Sequence, residues 1–192
     1  KDHSLLFVCI GFVGFFSLGY EILWTRVFLL LLGNTTHAFS MMLGAYLVGI
    51  ALGGGLYGIL VKAETDNRKL FTRLVLGLGL SILLTAPFYD RLSYVFQVAY
   101  EASNEAWSLY VVLSFGIVFI IMAVPTILSG AALPAVVNIV SSGQENLGRR
   151  VGMVVFCNTL GAVIGSLLAG LLLIPHLGIL NSFQLIAFIN LM

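Results

Sequence analysis

Charged side chains are scarce in this chain of 192 residues. Lysine, arginine, aspartate and glutamate together make up 9% of it, whereas about a quarter of a soluble domain is charged. The formal net charge of +1 gives no basic field of the kind that attracts nucleic acid, so we expect no nucleic-acid partner. The shortage of charge excludes an ordinary soluble domain.

Cysteine is also nearly absent. Cys9 and Cys157 fall in apolar segments far apart in the chain. This spacing gives neither a disulfide framework nor a set of metal ligands. The sequence also offers no constellation of nucleophile, base and acid. We therefore predict no catalytic residue, no metal site and no cofactor within this chain.

Hydrophobic residues make up 60% of the chain and gather in runs of about 20, the length that spans a bilayer as a helix. These runs predict one all-α integral membrane domain over residues 1–192, with six crossings. Residues 175–178 predict a turn before the sixth crossing, which is too short to span and is expected to continue beyond Met192. The predicted helices cover residues 4–32, 37–61, 70–88, 107–140, 151–174 and 180–192.

Three places depart from simple crossings. Residues 92–106 carry apolar side chains at helical spacing opposite polar ones, which predicts an amphipathic helix in the membrane interface. Pro125 and Pro134 lack a backbone donor and predict breaks in the fourth helix, either plain kinks or half-helix ends that bind ions. The first helix exceeds the ~30 Å hydrocarbon core, so we expect it to tilt or to break near Thr25 and Arg26.

Small residues recur every four positions in two predicted helices. Such stripes let helix backbones approach closely in a membrane. Their matching places in the two halves predict a 3+3 inverted repeat, and hence a six-helix, transporter-like half bundle. Whether the stripes pack within the bundle or between two subunits stays open. They consist of Ala45, Gly49 and Gly53 in the second helix, and of Gly161, Gly165 and Ala169 in the fifth.

Basic residues indicate the orientation. With six crossings, only Arg26 and Arg91 lie at or near the side opposite the N-terminus. The positive-inside rule then predicts a cytoplasmic N-terminus. The basic residues on the N-terminal side are Lys1, Lys62, Arg68, Lys69, Arg73, Arg149 and Arg150.

Three segments carry a resemblance to a known family: residues 19–26 (GYEILWTR), 125–134 (PTILSGAALP) and 158–166 (NTLGAVIGS). Together they resemble the membrane domain of bacterial integral-membrane spermidine-synthase-like proteins, in which a major-facilitator-like domain is fused to a spermidine-synthase domain. The resemblance implies a multi-pass protein of the bacterial inner membrane. It also implies a cytoplasmic transferase domain, which would follow Met192.

Four polar residues are candidate site residues. Glu21 and Arg26 fall within or close to the hydrocarbon, where a charge costs about 2.5–3.5 kcal/mol on insertion scales. They lie ~140° apart on a helix, so we expect partners on other helices, as an interfacial ion pair or as a substrate or proton site. His37 is expected to cap its helix, contact headgroups or sense pH. Asn158 predicts an interhelical hydrogen bond or a polar cavity wall.

Three functions remain open at this stage. The chain could anchor or serve a cytoplasmic aminopropyltransferase domain outside it, bind or move a small molecule such as a polyamine, or be a structural subunit of a larger membrane complex. The expected partners are the lipid bilayer, that transferase domain, and a second copy or a larger complex. A homodimer would use the face of Gly49 and Gly53.

Overall fold

A computed structural model of the protein describes residues 2–33, 35–62, 64–141 and 147–192. These residues are helical apart from short connections. A 3₁₀ turn at Ala86–Arg91 joins the third and fourth helices, and a π-helical turn at Ala169–Leu173 joins the last two. The helices are α1 Asp2–Leu32, α2 Thr36–Leu60, α3 Asn67–Thr85, α4 Leu92–Ala102, α5 Trp107–Ser141, α6 Leu147–Leu168 and α7 Ile174–Leu191.

Five stretches of the described chain are long and apolar enough to cross a membrane. The last of them, Leu147–Leu191, contains both α6 and α7. Outward faces carry large apolar side chains such as Ile59, which is 81% exposed, and Ile120, which is 72% exposed. Contiguous apolar surface of this kind marks contact with lipid or with another apolar partner. The all-helical prediction is confirmed for the described residues, and the fold is compatible with a helical membrane bundle.

α7 bends at Gly178. Its φ of 76° and ψ of 173° lie outside the helical range, in a region that glycine adopts readily. α7 packs against the π-helical turn, α1 and α3. The bend falls within the turn predicted at 175–178, but α7 already begins at Ile174.

α1 and α6 run side by side in the same direction. Gly161 lies against the backbone of Gly11, and Gly165 lies against the backbone of Phe15. Residue numbers rise together along the contact, so the two helices are parallel. A side chain at either glycine would meet backbone atoms, and only glycine permits this approach.

α2 and α5 form a second parallel pair. Gly49 faces the side chain of Thr126, and Gly53 faces the carbonyl of Ile127. This stripe therefore packs within the bundle. The face of Gly49 and Gly53 is covered by α5.

α5 differs from its prediction because it runs unbroken through Pro125 and Pro134. The hydroxyl of Thr126 donates to the carbonyl of Met122 at 2.7 Å, so it provides a hydrogen bond in the turn loosened by Pro125. Contact with neighbouring helices compensates a membrane helix for a missing backbone donor. The close packing against α2 thus keeps α5 continuous.

α1 follows the predicted alternative without a break, whereas α4 differs from expectation in its extent. α1 is continuous through Thr25 and Arg26. α4 is amphipathic, as the spacing predicts, but it ends at Ala102, because Asn104 and Glu105 adopt positive φ angles of 47° and 64°. Its buried Phe96 meets Phe28 of α1 edge to face, with ring centroids 6.2 Å apart. α4 therefore covers the end of the bundle at which α1 ends.

Candidate functional site

A chain of hydroxyl groups crosses the centre of the bundle. Ser129 of α5 donates to Ser17 of α1 at 2.8 Å, and Ser17 shares a hydrogen bond of 2.9 Å with the hydroxyl of Tyr46 in α2. The Glu21 side chain of α1 lies within reach of the same Tyr46 hydroxyl. Ser17 lies about halfway along the span Ser4–Leu32. The chain of hydroxyls therefore sits near the depth of a bilayer midplane.

A cavity of about 370 Å³ opens beside these hydroxyls, between α1, α2, α5 and α6. The structure places Asn158 on its wall, together with Thr159 of the same helix. Hydroxyl and amide groups in an otherwise apolar cavity can orient a small polar molecule by hydrogen bonding. The rest of the lining is Gly14, Ser17, Leu18, Tyr46, Ile50, Ser129, Gly130, Leu133 and Ala162.

A second, much smaller cavity lies beyond Ser17 and Tyr46, which contribute to both cavities. Its free volume is about 10 Å³. Glu21 lines it, as do Tyr20 and Trp24. The hydroxyl of Tyr20 and the indole N–H of Trp24 are buried there without a hydrogen-bond partner. The remaining lining is Leu78 of α3 and Met122, Pro125 and Thr126 of α5.

Glu21 and Arg26 are not brought together. Glu21 is half-buried and lines the small cavity, whereas Arg26 is exposed near the end of α1. The continuous α1 keeps the two side chains on different faces of one helix. The partner of Glu21 in the bundle is the Tyr46 hydroxyl of α2.

His37 belongs to an aromatic group at the end of the bundle. Its ring contacts Trp107 edge to face, with centroids 6.1 Å apart, and Trp107 lies 6.0 Å from Tyr110. The cap of α2 is Thr35, whose side chain accepts from the N–H of Ala38 at 3.2 Å. Exposed aromatic rings at a bundle end suit the headgroup region of a membrane.

Sequence reasoning missed Ser17, Tyr46 and Ser129. Single hydroxyls are common in membrane helices, where many bond only to their own backbone. One signal was present, because Ser17 and Glu21 are four positions apart and share a helix face. The long-range contact of Ser17 with Ser129 has no local signal.

The side chains of the two cavities can bind and orient a small molecule by hydrogen bonding. Among the described residues, no three histidine, cysteine, aspartate or glutamate side chains gather where they could hold a metal ion. Cys9 and Cys157 are free thiols. The two cavities offer hydroxyls, one amide and one carboxyl, which can bind and orient a ligand or hold a proton.

Comparison with known proteins adds no relative. No protein-family model, curated protein or solved structure matches the chain.

Proposed function

We propose that this chain is a membrane domain that binds a small polar molecule in the cavity beside Ser17 and Asn158. The observation that carries the proposal is a cavity of about 370 Å³ with hydroxyl and amide groups on its wall, near the middle of the crossings. Transporter folds commonly place their binding sites at this depth, where repeats meet.

The 3+3 inverted repeat is part of this proposal. Ser17 and Ser129, which touch, are 112 positions apart in the chain. Gly49 and Gly161, each of which packs against a neighbouring helix, are also 112 positions apart in the chain. The same spacing separates Gly53 from Gly165. In such a repeat α2 corresponds to α6 and α1 corresponds to α5. The pair of α2 with α5 therefore corresponds to the pair of α6 with α1. Both pairs are parallel and glycine-mediated, which supports the proposal.

The same spacing relates residues on the cavity wall. Tyr46 corresponds to Asn158, and Ile50 corresponds to Ala162. The cavity would then lie on the pseudo-two-fold axis, with the contact of Ser17 and Ser129 at its edge. A site on such an axis can be exposed to either side by rocking one half against the other.

The resemblance to spermidine-synthase-like membrane proteins suggests the ligand and the setting. All three segments that carry the resemblance contribute to the cavities: residues 19–26 and 125–134 to the small one, and 125–134 and 158–166 to the large one. A polyamine is therefore the first ligand to test. In this setting the domain would serve or anchor a cytoplasmic transferase domain in the bacterial inner membrane, with its N-terminus in the cytoplasm.

Equilibrium binding of radiolabelled spermidine to the protein in lipid nanodiscs tests the proposal. We expect saturable binding that Asn158→Leu abolishes, because leucine removes the amide and fills part of the cavity. Ser166→Ala is the matched control in α6, since the Ser166 hydroxyl donates to its own helix at the carbonyl of Val163. Equal binding by wild type and Asn158→Leu would refute the assigned site. Absence of binding, with no thermal shift from a panel of small polar compounds, would refute the function.

A further inference from the structure

Glu21 has no cationic partner among the residues that line its cavity. Those residues are serine, tyrosine, tryptophan, leucine, methionine, proline and threonine. The titratable groups that face Glu21 are Tyr20 on its own helix and Tyr46 on α2, while α3 presents Leu78, and α5 presents Met122, Pro125 and Thr126. A carboxylate at this depth requires a compensating positive charge, and this environment supplies none.

Two buried donors point to a further occupant. Tyr20 is 3% exposed and Trp24 is 2% exposed, yet the Tyr20 hydroxyl and the Trp24 N–H have no acceptor. A buried donor without an acceptor destabilises the fold, because its lost hydration is not replaced. The free volume of the small cavity is about 10 Å³, close to what one water molecule needs. A water can accept from both donors and still donate to a carboxyl oxygen.

We propose that the small cavity is a proton-binding site, in which Glu21 holds a proton and one ordered water molecule links it to Tyr20 and Trp24. Proton binding converts the carboxylate to a neutral carboxylic acid and removes the uncompensated charge. The water satisfies both orphaned donors. The geometry of the cavity carries this proposal whether or not the larger cavity binds a ligand.

The proton also sets the direction of the hydroxyl chain. An ionised Glu21 accepts from Tyr46, which then accepts from Ser17, so Ser17 keeps a free lone pair toward the large cavity. A protonated Glu21 donates to Tyr46, which can then donate to Ser17. Ser17 now accepts from both Tyr46 and Ser129, and its own hydrogen is free. Proton binding to Glu21 would thus change the Ser17 hydroxyl on the wall of the large cavity from an acceptor to a donor. This coupling between proton and ligand binding rests on the proposed function.

Infrared difference spectroscopy of the full chain in nanodiscs tests the proton site without any ligand. We expect the carbonyl stretching band of a protonated carboxyl at neutral pH in wild type. Glu21→Gln should remove it, and Glu101→Gln, on the exposed face of α4, should leave it. Tyr46→Phe keeps the carboxyl and removes its hydrogen bond, so the band should shift without disappearing. For the water, we expect an isolated O–H stretching band that Tyr20→Phe and Trp24→Phe weaken.

Three results would overturn the proposal. A carboxyl band that survives in Glu21→Gln would place the proton on another residue. A band absent at neutral pH would make Glu21 an ordinary carboxylate. A water band unchanged in both Tyr20→Phe and Trp24→Phe would remove the water. Spermidine binding is scored separately, so failure of the large cavity and failure of the proton site remain distinguishable.

Discussion

Gly161 has no side chain, and this allows α1 and α6 to pack closely against each other. A methyl group there would overlap the backbone of Gly11 in α1. Overpacking of this kind costs about 1–3 kcal/mol, because the helices must move apart. We predict that Gly161→Ala lowers the free energy of unfolding by about that amount, measured by denaturant titration in mixed micelles.

Gly152 provides the control for this prediction, because it lies in the same helix and a Cβ added there would meet no atom within 4 Å. Gly152→Ala should be neutral or slightly stabilising, since alanine is the better helix former. An equal loss of stability in both variants would show that the contact between α1 and α6 does not depend on Gly161.

At the residue scale, the sequence singled out Glu21 and Asn158 because charge and amide groups stand out in apolar runs. Both line cavities in the structure. The partner of Glu21 was not predictable, because Tyr46 lies on another helix and its ring reads as an ordinary core aromatic. Packing between distant helices, rather than any local pattern, decides which hydroxyls form the site.

At the element scale, hydropathy and turn residues locate the helices well, while interruptions are harder to predict. The sequence predicted breaks at Pro125 and Pro134, yet α5 is continuous. A proline weakens the local hydrogen-bond ladder, but whether the helix breaks depends on what packs beside it. Here α2 lies against α5 through Gly49 and Gly53.

The N-terminus of α3 gives a pH-dependent prediction at this scale. An Asp66 carboxylate oxygen accepts from the backbone N–H of Lys69 at 3.2 Å and of Arg68 at 3.1 Å, and the Lys69 ammonium lies 3.3 Å from the other oxygen. These contacts hold the pKa of Asp66 below its usual range. The folded state therefore gains stability above the ordinary aspartate pKa, and loses it as pH falls through the lowered value.

We accordingly expect the melting temperature of wild type to exceed that of Asp66→Asn at neutral pH. Asparagine still caps the helix but carries no charge and does not titrate in this range. The difference should shrink to zero in acid, as followed by thermal melts in detergent at a series of pH values. A difference that stays constant across pH would show that the charge of Asp66 contributes nothing.

At the scale of the whole molecule, the sequence predicted an all-helical chain, which the described residues confirm, whereas the inverted repeat remains part of the proposed function. Comparison of the stripes alone aligns Ala45 with Gly161. In the proposed repeat, the contacts of Gly53 with Ile127 and of Gly165 with Phe15 favour an alignment of Gly49 with Gly161 instead, a shift of one helical turn. A stripe with a small residue every four positions matches itself after a shift of four, so only the packing partners on α5 and α1 distinguish the two alignments.

The placement of the loops gives the last prediction, because the fold puts two exposed acidic residues at opposite ends. Glu64 lies between α2 and α3, whereas Glu101 lies on α4, which covers the end of α1. In a background with Cys9 and Cys157 replaced by alanine, Glu101→Cys should react with a membrane-impermeant thiol reagent in intact cells. Glu64→Cys should react only after permeabilisation, as the positive-inside rule predicts. Reaction of both cysteines from one side would contradict the bundle itself, since an α1 that crosses the membrane separates these two ends. The reverse pattern would invert the predicted orientation and leave the fold intact.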